Sequence, residues 1–474
     1  MSDIDDVFAE LGFGRMQFVV LFCCFVLQVW ITNEQLGIGV VLAGASCELE
    51  IHDKRLAWLM AGNFTAQLVS CFLWGQLSDV HGRRKVILLT GICSNLLSIL
   101  SAFMPEFWGF FGLRILSGFF LSASVVSCLT YMSEFTKVSL RPRVLTIMSY
   151  AIGFSLIYVP ALAGGILPLD IKVSAWRILL LLNQLPGAIG IIVLIFLPES
   201  PKYYLSVGEQ EKAMKVMERV CRMNKGKNAT LESFGVSSLT QPRLRHKSMF
   251  LGPCQDVKIL MTKYSKFMWI FAFAFFSLSG LAFALPIWML RIRVMTSQEE
   301  KPETICNLLQ EKITSPKDVK CHLTYDEMED PLIHGFVVLS LFIVTSLLLI
   351  CLNRRTLVLL FISIAILGCA LLNFVKAPLL ILISFMAVID PPMCCIRLTS
   401  SLLIDFIPTH LRGKAFSITL MMGRCGVLMS NLYVGYTLTH VCYATFNSFI
   451  LLLIVCGILV FLLPAEYRMD SFSM

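Results

Sequence analysis

Charge is what this sequence has least of. Only 15% of its 474 residues are Asp, Glu, Lys or Arg, against 57% hydrophobic, a balance too apolar for a water-soluble protein of this length. It also lacks a G-x-x-x-x-G-K-[ST] run, so nothing in it offers a phosphate cradle for ATP. No catalytic constellation, cofactor motif or metal-ligand set is found, and an enzyme is not expected. Residues 1–14 are acidic, without a basic n-region or a small-residue cleavage site, so the first apolar stretch reads as a retained helix rather than a cleaved signal. The two Asn-x-Thr sequences, at Asn63 and Asn228, fall in an apolar stretch and in a loop expected in the cytoplasm, so no N-glycosylation is expected.

What is present is a series of long apolar runs. A bilayer core needs roughly 20 apolar residues per helix, and twelve stretches meet that length. They cover about Met16–Ala43, Leu56–Leu77, Val86–Met104, Phe107–Tyr131, Val144–Leu167 and Ile178–Leu197. After a polar interval they resume at Phe267–Leu290, Leu332–Leu352, Thr356–Phe374, Leu379–Ile404, Ala415–Tyr436 and Phe446–Leu463. An even number puts both termini on one side. Roughly two thirds of the 39 Lys and Arg fall on that side, which by the positive-inside bias is the cytoplasm. The net charge of +8 is then a topology signal, and no nucleic acid is expected as a partner.

Between the second and third stretches lies Gly75-Gln-Leu-Ser-Asp79-Val-His-Gly82-Arg83-Arg84-Lys85. Gly75 would let a helix end pack closely and Gly82 would permit a tight turn. Asp79 could pair with the adjacent bases or cap another helix. The segment can act as a latch. With Gly75, Leu77, Asp79, Gly82, Arg83 and Arg84 all in place, it resembles the signature of the major facilitator superfamily. That resemblance implies an all-α membrane fold of twelve transmembrane helices in two six-helix pseudo-repeats.

The chain carries its own trace of duplication. Gly82-Arg83-Arg84 reappears as Asn353-Arg354-Arg355, and Glu134 with Arg141 reappears as Asp405 with Arg412, both at an offset of 271 residues. The second latch is degraded, since Ser346 and Ile350 take the places of Gly75 and Asp79. The expected organisation is an N-terminal six-helix bundle over 1–197, a cytoplasmic linker over 198–266 and a C-terminal bundle over 267–474 with an external loop at 291–331. In the linker, Ala213, Val216, Met217 and Val220 share one face of an amphipathic helix, a solvated linker helix being the alternative, and the stretch from Lys225 to Lys247 reads as flexible.

Pro198-Glu-Ser-Pro-Lys202 and Trp176-Arg177 resemble the organic-ion transporters and the synaptic vesicle glycoprotein 2-like group. Gly12-Phe-Gly-Arg15 with Gln17, Ser133-Glu-Phe135 and Leu463-Pro464 also resemble the latter, as does the placing of the large external loop after the seventh helix. That loop is only about forty residues, far shorter than in the founding members of the group, and roles tied to it are not carried over. The resemblance implies alternating access: Asp79 would cap the end of helix eleven, Arg83 or Arg84 would pair with Glu134, and those contacts would break as the inner gate opens.

Charges inside the spans cost roughly 2.5 to 3.5 kcal/mol at a bilayer centre, so each is a functional candidate. Glu34 could bind a cation, accept a proton or salt-bridge a base across the cavity. Arg114 resembles a superfamily position linked to proton coupling, or pairs with an acid. Asp390, followed by Pro391 and Pro392, marks an expected interruption of helix ten that serves as a binding site or gate, or a passive kink. Arg424 lies near the midplane of helix eleven and matches an Arg that favours anions in the organic-anion transporters; the alternative is that it neutralises Glu34 or Asp390. Arg397 is expected to snorkel or to line the inner vestibule. Trp30, Phe154, Tyr158 and Trp288 are candidates for solute contact or packing. Cys306 and Cys321 are a candidate disulfide, with Cys47 and Cys442 as alternative partners.

These readings converge on a secondary or facilitative transporter of small organic ions, leaning to anions, with a coupling ion and the lipid bilayer as its other partners. It is expected to act as a monomer in the plasma membrane or a vesicle membrane. A sugar or other neutral-solute transporter is the nearest alternative; against sugars, the seventh stretch has no Gln or Asn of the kind sugar porters use there. A non-transporting receptor or trafficking regulator with a transporter fold is the alternative from another class.

Overall fold

The computed structural model describes residues 2–169, 173–236, 238–240, 251–296, 304–307, 325–407, 411–438 and 440–464. A short helix, α1 (Ile4–Leu11), leads into six long ones: α2 (Arg15–Ala45), α3 (Asp53–His81), α4 (Arg83–Ser101), α5 (Phe107–Glu134), α6 (Arg141–Ile166) and α7 (Ala175–Phe196). The linker holds α8 (Pro201–Ser206), α9 (Gln210–Lys225) and α10 (Leu251–Lys263). Six more long helices follow: α11 (Ser265–Thr296), α12 (Tyr325–Cys351), α13 (Arg354–Leu372), α14 (Pro378–Phe406), α15 (Arg412–Thr437) and α16 (Cys442–Phe461). The twelve helices α2–α7 and α11–α16 are long and apolar enough to cross a membrane. Helix is the form such runs must take there, because it satisfies the backbone within the segment.

The seventh and eighth spans exceed their apolar cores. Helix α11 runs on to Thr296 and α12 starts at Tyr325, which leaves the external loop shorter than the 291–331 read from hydropathy. In the linker, Ala213, Val216, Met217 and Val220 are buried on α9 and pack with α1 residues such as Ile4, Phe8 and Leu11. After Lys225 the described residues include a 3-10 turn at Leu231–Phe234, and Leu239 and Thr240 pair with Ser2 and Asp3 in a minimal parallel sheet. Residues 241–247 lie outside the described residues.

The bundle has two ends. The latch Gly75–Lys85 marks one, and a disulfide between Cys306 and Cys442 marks the other. The pairing with Cys442 corrects the expected bridge from Cys306 to Cys321, which lies outside the described residues. Proximity in sequence favours Cys321. Space decides otherwise: Thr304 and Asn307 both hydrogen-bond Tyr443, which docks this segment on the start of α16 with the two Cα atoms 5.4 Å apart. Cys47 is also disulfide-bonded.

At the disulfide end the apolar core is shared between the halves. Leu36, Val41, Leu56 and Leu156 from the first six spans belong to one cluster with Leu285, Trp288, Met328 and Val338 from the second. Near the latch end the core is divided. One cluster there holds only first-half and linker residues, such as Val20, Tyr131 and Met217, and another only residues of the second half and the α10 helix leading into it, such as Phe271, Phe406 and Ala415. Helices α6 and α12 meet backbone to backbone: a Cβ on Gly335 would lie 2.6 Å from Leu156 main-chain atoms, and one on Gly153 2.8 Å from the Cα of Leu339. The apolar core therefore seals the two halves together at the disulfide end and is divided between them at the latch end.

A polar clasp holds the sealed end of the first half. Trp176 donates to Glu48 at 2.6 Å, and Arg177 donates both to Glu48 and to the Ala102 carbonyl. Burial opposes ionisation of Glu48, but hydrogen bonds from Arg177, Trp176 and Ser174 outweigh it and hold the carboxyl below its ordinary range. A depressed carboxylate contributes stability above its unfolded titration point and loses it as pH falls. Glu48→Gln should therefore lower the thermal midpoint at neutral pH, and the gap to wild type should close below about pH 4. A gap of constant size across a pH series would show that charge plays no part.

Candidate functional site

Among the described residues, Glu34, Arg424 and Asp390 each lie in a cluster of polar side chains within the spans. The first is centred on Glu34, in a π-helical turn, Asn33–Gly37, that interrupts α2. Its Oε2 accepts from Arg114 at 2.9 Å and from Ser98 at 2.8 Å, and its Oε1 accepts from Gln184 at 2.6 Å. Trp30 donates to Gln184 at 2.9 Å and is fully buried, so it supports this network rather than facing a cavity. Of the open readings for Glu34 and Arg114, the geometry realises the ion pair, and both partners sit in the same half rather than across the cavity. Gln184 and Ser98, small polar residues scattered in apolar runs, complete the site without any spacing that announces them.

The second cluster spans the two halves. Arg424 on α15 is buried and donates from Nη1 to the backbone carbonyl of Gln67 on α3 at 2.8 Å, with the Cys71 thiol beside it. Its Nη2 has no hydrogen-bond acceptor among the described residues. Gln67 in turn accepts from Gln35 at 2.8 Å. Arg424 neutralises neither Glu34 nor Asp390, which corrects that alternative; each acid already has a partner inside its own half. Arg397, half-buried on α14, forms no ion pair among the described residues.

The third cluster pairs Asp390 on α14 with His334 on α12, Nε2 to Oδ1 at 2.7 Å, both almost fully buried. His334 is a residue that sequence reasoning passed over. The signal that would have found it is the one used for the arginines, an ionisable side chain inside an apolar span. The expected interruption of helix ten is not observed: α14 continues through Pro391 and Pro392. A proline removes one ladder hydrogen bond, and neighbouring helices can support the backbone past it; here Gly368 brings α13 against Ser384, Ala387 and Val388 of the turns before the prolines.

At the latch, Arg83 is held between Asp79 at 2.5 Å and Glu134 at 3.2 Å. Arg84 does not reach Glu134. It donates to the carbonyls of Leu194 and Ile195 at the end of α7, at 3.0 and 2.6 Å. Asp79 does not cap helix eleven: it is exposed, and α15 starts without a side-chain cap. Asp79 instead pairs with Arg83 of its own loop. Gly75 makes no close approach either, since a Cβ there would meet only Val126 at 3.9 Å.

Glu199 carries a role that the Pro-Glu-Ser-Pro-Lys run did not reveal. It accepts from the backbone N–H of Arg84 and Lys85, at 2.9 and 3.2 Å, and so closes the N-terminus of α4. Gly82, at φ +101°, lies so close that a Cβ would fall 2.4 Å from the Glu199 carboxylate. Gly82→Ala should cost about 1–3 kcal/mol through backbone strain alone. Thermal unfolding reads this, and an unchanged midpoint would show that the turn relaxes freely.

The duplication is visible in these contacts. Arg141 donates to the Thr136 carbonyl at 3.2 Å and Arg412 to the Ile407 carbonyl at 2.9 Å. Arg83 meets Glu134, and Arg354 meets Asp405 at 2.9 Å. Arg84 and Arg355 each donate to a carbonyl at the end of the sixth helix of their half, Ile195 and Phe461. The second copy is more exposed, Arg354 and Asp405 being 46% and 48% accessible against 16% and 14% for Arg83 and Glu134. Arg141 also binds Asp5 at 2.9 Å, as does Lys202 at 2.5 Å, so the N-terminal segment is pinned to the latch end.

The family model described as Major Facilitator Superfamily matches residues 17–298. The chain is 26% identical over 249 residues to synaptic vesicle glycoprotein 2C of Homo sapiens, covering 50% of this chain and 34% of that protein. It is 27% identical over 221 residues to synaptic vesicle 2-related protein of Xenopus laevis, 47% of this chain and 39% of the relative. It is 26% identical over 224 residues to organic cation/carnitine transporter 7 of Arabidopsis thaliana, 47% and 43%. The matches thus span less than half of these relatives' own length. Among solved structures, the xylose transporter of E. coli in a partially occluded inward-open conformation superposes with a TM-score of 0.71 over 95% of this chain and 100% of that one, at 12% identity. A nucleoside transporter superposes with a TM-score of 0.64 over 94% and 99%, also at 12% identity.

Proposed function

Because the chain belongs to the major facilitator superfamily, as a multi-pass membrane protein with that fold, we propose that it is a secondary or facilitative transporter of small organic anions working by alternating access. The observation that carries the charge preference is Arg424. Both intramembrane acids with a defined site, Glu34 and Asp390, are matched by a base within hydrogen-bond reach. Arg424, which meets Gln67 of the other half, has no carboxylate partner among the described residues, so it brings an unneutralised positive charge to the contact between the halves. An uncompensated buried charge is costly. A carboxylate or other anionic group on the solute would satisfy the unused Nη2 of Arg424 in a charge-assisted bond.

Arg424 already touches Gln67 on the other half. A solute that competes for it bears directly on how the halves meet, and it shifts their equilibrium by its differential affinity for the two arrangements. With both termini in the cytoplasm, the sealed disulfide end is the external gate and the parted latch end faces inward. The plasma membrane and a vesicle membrane fit this reading equally. The relative named for organic cations and carnitine favours keeping zwitterions that bear a carboxylate within the substrate class.

The test is a thermal-shift panel of organic anions, zwitterions, cations and sugars on the purified protein and on Arg424→Ala. Ligands that bind only the native state raise its stability with occupancy. Stabilisation by anions that disappears in the variant supports the proposal. Stabilisation by cations or sugars alone sinks the anion assignment, and a flat panel shifts weight to a receptor with a transporter fold.

A further inference from the structure

The sealed end contains an ion pair that the anion reading does not use. His334 stands on α12 one residue before Gly335, where α12 packs against the backbone of α6 from the other half. Asp390 meets it at 2.7 Å on one oxygen, while the second oxygen, Oδ2, is buried and has no partner among the described residues. His334 also lines a cavity of about 30 Å³, room for a water or two. Gly37, Ser155, Val159, Pro286 and Pro331 are among the other residues of its wall, which is drawn from α2, α6, α11 and α12. The pair thus sits in the contact that seals the disulfide end.

Among the described residues, no other charged side chain pairs with it. His334 is the one ionisable side chain lining the cavity. On α2 the nearest acid, Glu34, is taken by Arg114, and on α6 Tyr158 is engaged with the Leu182 carbonyl. On α14 the Cys394 thiol lies beside Asp390, and Arg397, seven residues further on, forms no ion pair with Asp390. Asp330 and Glu327, earlier on α12, have interactions of their own. With one proton bound, the pair is neutral overall; without it, a net negative charge is left in an apolar junction with half a carboxylate unpartnered. Burying an uncompensated charge is unfavourable, whereas exposing it to water is not.

We propose that His334 and Asp390 form a proton-binding site whose occupancy the sealed disulfide end requires. The proton is taken from water when that end is open, is held between Nε2 and Oδ1 while it is sealed, and returns to water when the pair is hydrated again. The site therefore binds one proton more tightly in the sealed arrangement, which makes protons a ligand of that state. The inference rests on the transporter reading and adds the coupling ion to it.

The experiment needs no solute. Hydrogen exchange of the α6 segment 152–160 and the α12 segment 331–340 is followed by mass spectrometry on the purified full chain, from about pH 5 to about pH 8.5, the range in which histidine titrates, with the intrinsic pH dependence of exchange divided out. Loss of one proton on opening should raise the opening equilibrium by about tenfold per pH unit across the transition. In Asp390→Asn the pair is uncharged without an added proton, so protection should persist at the alkaline end. Should that variant fail to fold, His334→Gln serves: sealing then requires a proton on Asp390 itself, and the transition should move to lower pH. A flat wild-type profile, or variants that follow the wild-type curve, overturns the proposal. A flat profile alongside intact stabilisation by anions through Arg424 removes the proton site and leaves the transport reading standing; the reverse pattern removes the anion reading alone.

Discussion

Arg114→Ala should destabilise the protein by about 3–5 kcal/mol, the range for breaking one partner out of a buried ion pair. Arg114 is 1% and Glu34 2% accessible, so water cannot replace the missing guanidinium. Glu34 would keep Ser98 and Gln184 as donors but would carry an unbalanced charge. Glu34→Ala should cost a similar amount, because it strands Arg114. The double variant should cost much less than the sum, since neither charge remains; close partners deviate from additivity by 0.5–3 kcal/mol as a rule of thumb, and this pair should lie near the top of that range. Thermal or denaturant unfolding of the four proteins in one detergent measures it. Additive losses would show that the two residues act separately and would remove the pair as a unit.

Arg424→Ala should have an opposite signature. Its guanidinium is held by one backbone carbonyl and has an unsatisfied nitrogen, so the solute-free protein loses little by its removal. What it should lose is affinity for anions. Truncating one member of a buried, hydrogen-bonded charge pair costs about 2–5 kcal/mol, equivalent to a drop of roughly thirtyfold to several thousandfold in binding. Arg424→Lys should recover only part of this, because a point charge lacks the fork that grips a carboxylate through two bonds. Titration of the anions found in the thermal panel, by calorimetry or by the shift itself, gives the ratio. Equal affinities in wild type and Arg424→Ala would eliminate the residue as the anion contact whatever the effect on stability.

The sequence by itself determined the twelve spans, with boundaries within a few residues except where α11 and α12 run past their apolar cores, the place of the latch and the duplication. Inside a bilayer each stretch must satisfy its own backbone, so composition over about 20 residues decides where a helix lies without reference to the rest of the chain. The offset of 271 residues survived for a similar reason, because Arg83 with Glu134 and Arg354 with Asp405 are the same local arrangement made twice. Which residues carry candidate chemistry was also legible, since an ionisable group in an apolar run stands out, though His334 was missed.

Partner choice was not legible. Glu34 pairs with Arg114 and not with Arg424, Cys306 with Cys442 and not with Cys321, and Glu199 with the start of α4. Each of these joins residues distant in sequence, and only the packing of the helices sets the few ångströms that a hydrogen bond or a disulfide tolerates. The same holds for the state of the gate. Asp79 is free of helix eleven because the core is continuous at one end and divided at the other, a property of how two six-helix units meet and not of any segment within them.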